Sequence, residues 1–155
     1  MKKALLIGAA VIGLGVAGTA SVQAAKDAGT PAAAASAQRK VDNFQLTDHT
    51  RFAHDLYYYK YAPAVVLMSQ TNGSKVSREA AAELEKLAAA NKDVKFFMLN
   101  SNLGDSLTAT AAEAQARGFT IPVLVDEQQL VGEQLGVKRE GEVFVLDTKT
   151  WKVAY

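Results

Sequence analysis

The sequence contains no cysteine among its 155 residues. A thiolate is the nucleophile in peroxide reduction and in disulfide exchange, so the usual thiol route to either reaction is excluded. The absence also excludes a disulfide framework, on which many small exported domains depend. Apolar packing must therefore supply the stability of the folded part.

The sequence also lacks an excess of charge of either sign, since it has 17 lysines and arginines and 16 aspartates and glutamates. No basic block occurs, so neither nucleic acid nor an anionic membrane surface is expected as a partner. The two histidines, His49 and His54, share no face of a strand or helix at a spacing of five, although a tight hairpin could bring them together. With Asp48 and Asp55 they make only a weak candidate metal site, and we expect no cofactor.

Residues 1–24 have the layout of a secretory signal peptide. Lys2 and Lys3 form a basic start, residues 4–16 are uncharged and mostly apolar, and small residues precede a cleavage site after Ala24. The apolar run is shorter than the roughly 20 residues that span a bilayer, so a membrane anchor is the weaker alternative. We expect a periplasmic or secreted protein with no membrane span after cleavage.

Residues 25–40 are rich in alanine and contain no aromatic residue, which predicts a flexible tether. Residues 41–155 have the length of one domain with one modest core. Within that domain, apolar runs predict buried strands at Ala64–Met68, Val94–Leu99 and Ile121–Val125. Residues 74–91 repeat apolar side chains at helical spacing. Strands alternating with helices predict an α/β domain with parallel central strands.

Capping signals predict the remaining boundaries. Asp105 is expected to cap a second helix that ends at Gly118, and Asp126 with Gln129 has the spacing of a capping box for a short third helix. The last two apolar runs predict a C-terminal β-hairpin, with strands at Val143–Leu146 and Lys152–Tyr155.

A polar loop joins the first buried strand to the first helix and contains Ser74. A cysteine at a helix N-terminus has a lowered pKa, because unpaired backbone N–H groups and the helix dipole favour its thiolate. The intrinsic pKa of a serine hydroxyl is far too high for this effect to matter. Ser74 is therefore expected to cap the helix.

Several segments occur in an order that is more specific than any one of them. They are Phe44-x-Leu46-x-Asp48, Val65–Met68, Thr71 three residues before Ser74, Ile121–Asp126, Gly136–Val137 and Val143–Asp147. This order resembles the redoxin branch of the thioredoxin superfamily, which includes the peroxiredoxin (AhpC/TSA) and TlpA-like proteins. The resemblance implies a thioredoxin-like α/β fold, with a central mixed sheet flanked by helices and a C-terminal β-hairpin.

The resemblance places degenerate residues where those families carry their active site. Ser74 and Ser77 stand at the cysteine positions of a Cys-x-x-Cys-Arg motif, or Ser74 stands at that of a single peroxidatic cysteine. Arg78 follows them, and Thr71 precedes them as threonine does in peroxiredoxins. The resemblance therefore implies a redoxin frame without a catalytic residue.

Two further departures concern turns. Gly141, preceded by Glu140, stands where the fold usually has a cis-proline facing the cysteines, and Arg51 replaces the turn glycine of the entry hairpin. The redoxins also add a terminal helix, whereas Tyr155 falls in the last expected strand. The chain is therefore expected either to be truncated or to expose an apolar surface.

Alternatives remain open at the candidate residues. The Ser74 hydroxyl either caps the helix or binds a ligand, and Arg78 either contacts an anion or is a solvated residue paired with a glutamate. Ser74, His54 and Asp48 can be drawn as a hydrolase triad, but no Gly-x-Ser-x-Gly elbow supports it.

The segment Leu56–Tyr61 contains four tyrosines in five positions. An alternating pattern places Tyr57, Tyr59 and Tyr61 on one face and Tyr58 on the other. That face is either a contact surface for a protein partner or an edge segment laid over the core. Three hypotheses follow: a non-catalytic binding module acting through these tyrosines or the Ser74 loop, an enzyme that uses other residues, and a structural subunit of an envelope assembly.

Overall fold

The computed structural model describes residues 39–155, so the expected signal peptide and all but the last two tether residues lie outside the described part. No helix in residues 39–155 is long and apolar enough to cross a membrane. The strands are β1 Gln45–Asp48, β2 Ala53–Asp55, β3 Ala64–Ser69, β4 Lys95–Asn100, β5 Val123–Val125, β6 Val143–Asp147 and β7 Lys152–Val153. The helices are α1 Lys75–Ala90, α2 Leu107–Arg117 and α3 Leu130–Leu135, and a 3-10 helix spans Leu56–Tyr61.

The seven strands form one mixed sheet in the order β2-β1-β5-β4-β3-β6-β7. The central strands β3, β4 and β5 are parallel, and the outer pairs are antiparallel. This confirms the expected parallel centre and the C-terminal hairpin of β6 and β7. Because β3 and β4 are parallel neighbours, the loops after them meet at one edge of the sheet.

The core lies on both faces of the sheet, because successive side chains of a strand point to opposite sides. On one face, Val65 and Leu67 of β3 pack with Leu135 of α3 and with the 3-10 helix. On the other, Val66 and Met68 pack against Leu84 of α1 and against α2. Burial on both faces explains why the parallel strands are continuous apolar runs rather than alternating ones.

The caps of α2 and α3 differ from the prediction. Ser106, not Asp105, caps α2 by accepting a hydrogen bond from the backbone N–H of Ala109. The carboxylate of Asp105 is already occupied by groups outside the helix. No capping box forms at α3: Gln129 has a φ of 59° and no capping side-chain bond, while Asp126 accepts from the first backbone N–H groups.

The tyrosine segment also differs from the prediction, because it is a 3-10 helix and not an alternating strand. Tyr57 stacks on Trp151 with ring centroids 4.5 Å apart, and Tyr59 packs against Phe97. Tyr58 and Tyr61 are 70% and 64% exposed. At three residues per turn, side chains three apart lie on the same side. Tyr61 therefore lies on the exposed side with Tyr58, although its ring centroid is also 6.2 Å from that of Tyr59.

Candidate functional site

Ser74 lies at the edge of the sheet where β3 ends and α1 begins. Its hydroxyl oxygen accepts a hydrogen bond from the backbone N–H of Ser77 at 3.1 Å, as expected for a helix cap. The same hydroxyl donates to the carboxylate of Glu140 on the loop before β6. Ser74 therefore both starts the helix and joins it to a distant loop.

The neighbouring motif residues hold the loop in place. Ser77 is buried, and its hydroxyl accepts from the backbone N–H of Thr71 at 3.0 Å. Thr71 is thus fixed through its backbone three residues before Ser74. Arg78 is half-buried and forms none of the ion pairs found in residues 39–155, so the alternative that pairs it with a glutamate has no ion pair to support it there.

The loop before β6 is hydrogen-bonded to the end of β3, and this places Glu140 beside Ser74. Gly141 has a φ of 73°, and its backbone N–H donates to the carbonyl of Ser69. The Ser69 hydroxyl donates to the Arg139 carbonyl at 2.7 Å and accepts from the Glu142 N–H at 2.9 Å. The sequence therefore predicted correctly that the Gly141 loop faces the Ser74 position.

A polar network lies behind the Ser74 loop and was not anticipated from the sequence. Asp105 accepts from the Asn72 backbone N–H and from the Asn100 side chain, both at 2.9 Å. The Asn72 side chain donates to Thr110 at 3.1 Å, and Gln70 donates to Asn72 at 3.1 Å. Polar residues directly after β3 and at the end of β4 are the signal that could have revealed this network.

Hydrogen bonding keeps Asp105 ionised. Burial raises the pKa of the Asp105 carboxyl, but donors from the Asn72 backbone and the Asn100 side chain outweigh it, so the pKa lies below 3.8. The negative charge then fixes which way the neighbouring amides point, because an ionised carboxylate only accepts.

A cleft of about 310 Å³ opens beside the Ser74 loop. Its walls are the Ser69–Thr71 segment, the residues after β4 and the Val137–Glu140 loop. Clefts at the carboxyl ends of strands in an open α/β sheet are common ligand sites. This cleft and the Ser74 hydroxyl form the candidate functional site.

The histidines lie on the entry hairpin and are not part of that site. His54 is buried and uses both ring nitrogens, Nε2 with Asp48 at 2.8 Å and Nδ1 with the Tyr59 hydroxyl at 2.6 Å. His49 instead accepts from the Val123 backbone N–H at 3.0 Å. Within residues 39–155, no three histidine or acidic side chains are grouped so as to hold a metal ion.

Asp48 and His54 do pair, but the hydrolase triad is not assembled, because the Ser74 hydroxyl is bonded to Glu140. Burial raises the pKa of Asp48, but hydrogen bonds from Thr50, His54 and Phe52 outweigh it, so the pKa lies below 3.8. Burial, with the nearby acidic groups, raises the pKa of Tyr59. Because an ionised carboxylate only accepts, the Nε2–H of His54 donates to Asp48.

Known proteins share this fold. Peroxidoxin BcpB of Mycobacterium tuberculosis has a TM-score of 0.64 and 27% sequence identity, covering 76% of this chain and 82% of that one. A secreted disulfide oxidoreductase of the same organism has a TM-score of 0.61 and 16% identity, covering 70% and 79%. A PrxQ mutant of Xylella fastidiosa, with serine in place of a cysteine, has a TM-score of 0.64 and 14% identity, covering 76% and 84%.

These similarities confirm the thioredoxin-like fold. No curated protein matches the chain. The family model described as the AhpC/TSA family matches residues 37–154, which is most of the sequence. With that match and the shared fold, the chain belongs to the AhpC/TSA family.

Proposed function

We propose that this protein is an exported AhpC/TSA domain that does no thiol chemistry and acts by binding a partner at the Ser74 end of its sheet. The observation that carries the proposal is the bonding of Ser74. At the position that resembles the family's reactive cysteine, its hydroxyl caps α1 and donates to Glu140. In this proposal a hydrogen-bonded hydroxyl stands where the family would carry its reactive group.

The charge beside Ser74 would also disfavour a thiolate at this position. A reactive thiolate is favoured by neighbouring cations and disfavoured by neighbouring anions. Here the group bonded to the hydroxyl is the carboxylate of Glu140. Glu140 is exposed, and no histidine bonds to Ser74 to act as an oriented base.

Export is part of the proposal and rests on the N-terminal sequence. The basic start, apolar run and small residues before Ala24 support cleavage there. N-terminal sequencing of the protein from a periplasmic fraction should give a start at or near Ala25. A Met1 start in the membrane fraction would show that the segment is an anchor.

Activity is tested on the mature protein. Peroxide consumption and disulfide reduction are measured with excess dithiothreitol, beside a heat-denatured sample. We expect neither rate to exceed that control, because no thiolate is present. Turnover above the control would overturn the non-catalytic proposal.

Binding is tested by affinity capture from periplasmic extract with three forms of the protein. The wild type and Lys149→Glu, altered on the exposed turn between β6 and β7, should retain the same proteins. Glu140→Lys, altered beside Ser74, should lose them. Equal capture by all three would show that the Ser74 end is not the binding surface.

A second surface is favoured by one observation. The exposed rings of Tyr58 and Tyr61 meet edge to face at 6.0 Å, and the Lys95 ammonium lies 5.5 Å from the Tyr61 ring centroid. Exposed tyrosines are enriched in protein interfaces. If this surface binds the partner, Tyr58→Ser with Tyr61→Ser should abolish capture while Glu140→Lys does not.

A further inference from the structure

Asn72, in the Ser74 loop, is the only asparagine of the sequence that is followed by glycine. The side-chain amide of an asparagine is open to attack by the backbone nitrogen of the next residue, and glycine has no side chain to crowd that attack. A Cβ placed on Gly73 would have no atom within 4 Å, its chain neighbours aside. The pair Asn72-Gly73 therefore has the composition and the space for deamidation.

The reaction has two steps and consumes only water. The Gly73 nitrogen forms a bond to Cγ of Asn72, the bond from Cγ to Nδ2 breaks, and the Gly73 N–H proton leaves with Nδ2 as ammonia. Water then opens the cyclic imide at either of its two carbonyls, which leaves an aspartyl or an isoaspartyl residue. The ring closes only when the Gly73 nitrogen and the Asn72 Cβ lie on the same side of the Cα–C bond.

The turn at Asn72-Gly73 keeps those two atoms apart. The Ser74 N–H donates to the Thr71 carbonyl at 3.3 Å, and Gly73 has a φ of 74°. Asn72 is not among the residues of the described part that have a positive φ. These features define a type II turn, in which ψ at the position of Asn72 is about +120°. At that ψ the Gly73 nitrogen is rotated away from the Asn72 Cβ, so the ring does not close.

The polar network also holds the side chain of Asn72. Its Nδ2 donates to the Thr110 hydroxyl at 3.1 Å, and its backbone N–H donates to the Asp105 carboxylate at 2.9 Å. Its Oδ1 accepts from the side-chain amides of Gln70 at 3.1 Å and Asn100 at 3.3 Å. Thr110 and Asn100 are each only 1% exposed, so the side chain is anchored to a buried part of the domain. Both the turn and these bonds must open before the ring closes.

We propose that Asn72 is a latent deamidation site that reacts when the Ser74 loop opens locally, so that its modification is a permanent record of that opening. The Asn100 NH₂ group bonds to both Asn72 and Asp105, so an aspartyl product places two carboxylates around one donor and raises their energy. An isoaspartyl product adds a backbone atom between Thr71 and Ser74 and breaks the turn. The inference goes beyond the proposed function, because it needs no partner and no reaction at Ser74.

The test incubates the mature protein at pH 8, in buffer and in guanidinium chloride that unfolds it. Mass spectrometry of the tryptic peptide 61–75, in which Asn72 is the only asparagine, follows the conversion of amide to acid. We expect conversion to be at least tenfold slower in buffer than in guanidinium chloride. In guanidinium chloride, Gly73→Ala should slow it at least tenfold, because the reaction passes through the Gly73 nitrogen. Equal rates in either comparison would overturn the inference.

Local opening is tested in buffer with variants of the network. Thr110→Val removes the bond to Nδ2 while keeping the side-chain shape, and it should speed conversion at least fivefold. Asp105→Ala, at a half-buried position, should do the same if Thr110→Val does not fold. Thr108→Val, exposed on the same helix, should leave the rate unchanged.

A fourth variant separates local opening from unfolding of the whole domain. Val153 is fully buried in β7, outside the Ser74 loop and the polar network, and Val153→Ala destabilises the fold by leaving a cavity. Conversion in buffer should proceed at the wild-type rate in this variant. The inference is overturned if Val153→Ala speeds conversion as much as the network variants do, or if the network variants convert at the wild-type rate.

Discussion

The hydroxyl of Ser74 donates a hydrogen bond to the carboxylate of Glu140, which lies 66 residues further along the chain. The bond crosses from the start of α1 to the loop before β6. The resemblance to the redoxins implies a cysteine at the place of Ser74 and a cis-proline at the place of Gly141, directly after Glu140. In this chain a neutral hydroxyl donates to an anion, so the contact stabilises the loop. A thiolate at the same position would be destabilised, because it would carry the same negative charge as the carboxylate beside it.

Replacing Ser74 with alanine should lower the free energy of unfolding by about 0.5–2 kcal/mol, because the Ser77 backbone N–H loses its acceptor. Urea unfolding measures the change. Ser106→Ala is the matched control, since Ser106 caps α2 in the same way and lies outside the candidate site. A loss in Ser106→Ala with none in Ser74→Ala would contradict the capping role.

Asp48→Asn should reduce stability in a pH-dependent way. The hydrogen bonds to Asp48 hold the pKa of its carboxyl below 3.8 in the folded protein. A depressed pKa stabilises the fold above the unfolded pKa, and that stability is lost as the pH falls through the folded value. The difference in unfolding free energy between wild type and Asp48→Asn should therefore be large at pH 5 and shrink towards pH 2.

Asp42→Asn is the control for this pH series, because Asp42 is exposed. Its unfolding free energy should follow that of the wild type at every pH. If the wild-type and Asp48→Asn curves run parallel from pH 5 to pH 2, the bonds to Asp48 do not favour its charged form.

Gly132→Ala should destabilise the protein by about 1–3 kcal/mol through overpacking. Gly132 lies in α3, and a Cβ placed there would be 2.7 Å from the Cβ of Ser101. Gly104→Ala is the control, because its nearest neighbour, the Asn102 side chain, would be 3.9 Å away. Equal thermal denaturation midpoints for the two variants would show that α3 does not approach Ser101 so closely.

Much of the fold could be predicted from the sequence because its signals are local. The runs at Ala64–Met68 and Val94–Leu99 form β3 and β4, shifted by a residue at most, since strands buried on both faces are continuously apolar. Gly118 ends α2 with a φ of 67°, as a C-cap glycine should. The prediction for the tyrosine segment failed because the 3-10 helix depends on its cap, Asp55. The Asp55 side chain accepts a hydrogen bond from the backbone N–H of Tyr58 at the start of that helix.

The candidate site was predictable only in part. Ser74 could be placed at a helix N-terminus because the helical pattern begins directly after it. Glu140 and Gln70 could not be assigned partners, because their surroundings depend on tertiary contacts between β3, β4 and the loop before β6. Asp105 was predicted to cap a helix, but its carboxylate accepts hydrogen bonds from Asn72 and Asn100 instead. These bonds also depend on tertiary contacts.

The central claim is that Ser74 occupies the reactive position of the redoxin frame, and a cysteine placed there tests it. The start of α1 and Arg78 both favour a thiolate, while Glu140 opposes it. The thiol pKa of Ser74→Cys should therefore fall when Glu140→Gln is added. Free cysteine, with a thiol pKa of ~8.5, provides the reference.

The measurement is the rate of alkylation against pH for Ser74→Cys combined with Glu140→Gln. We predict a midpoint below the ~8.5 of a free cysteine, and below that of Ser74→Cys alone. A midpoint at or above ~8.5 in the double variant would show that Ser74 does not stand at the reactive position.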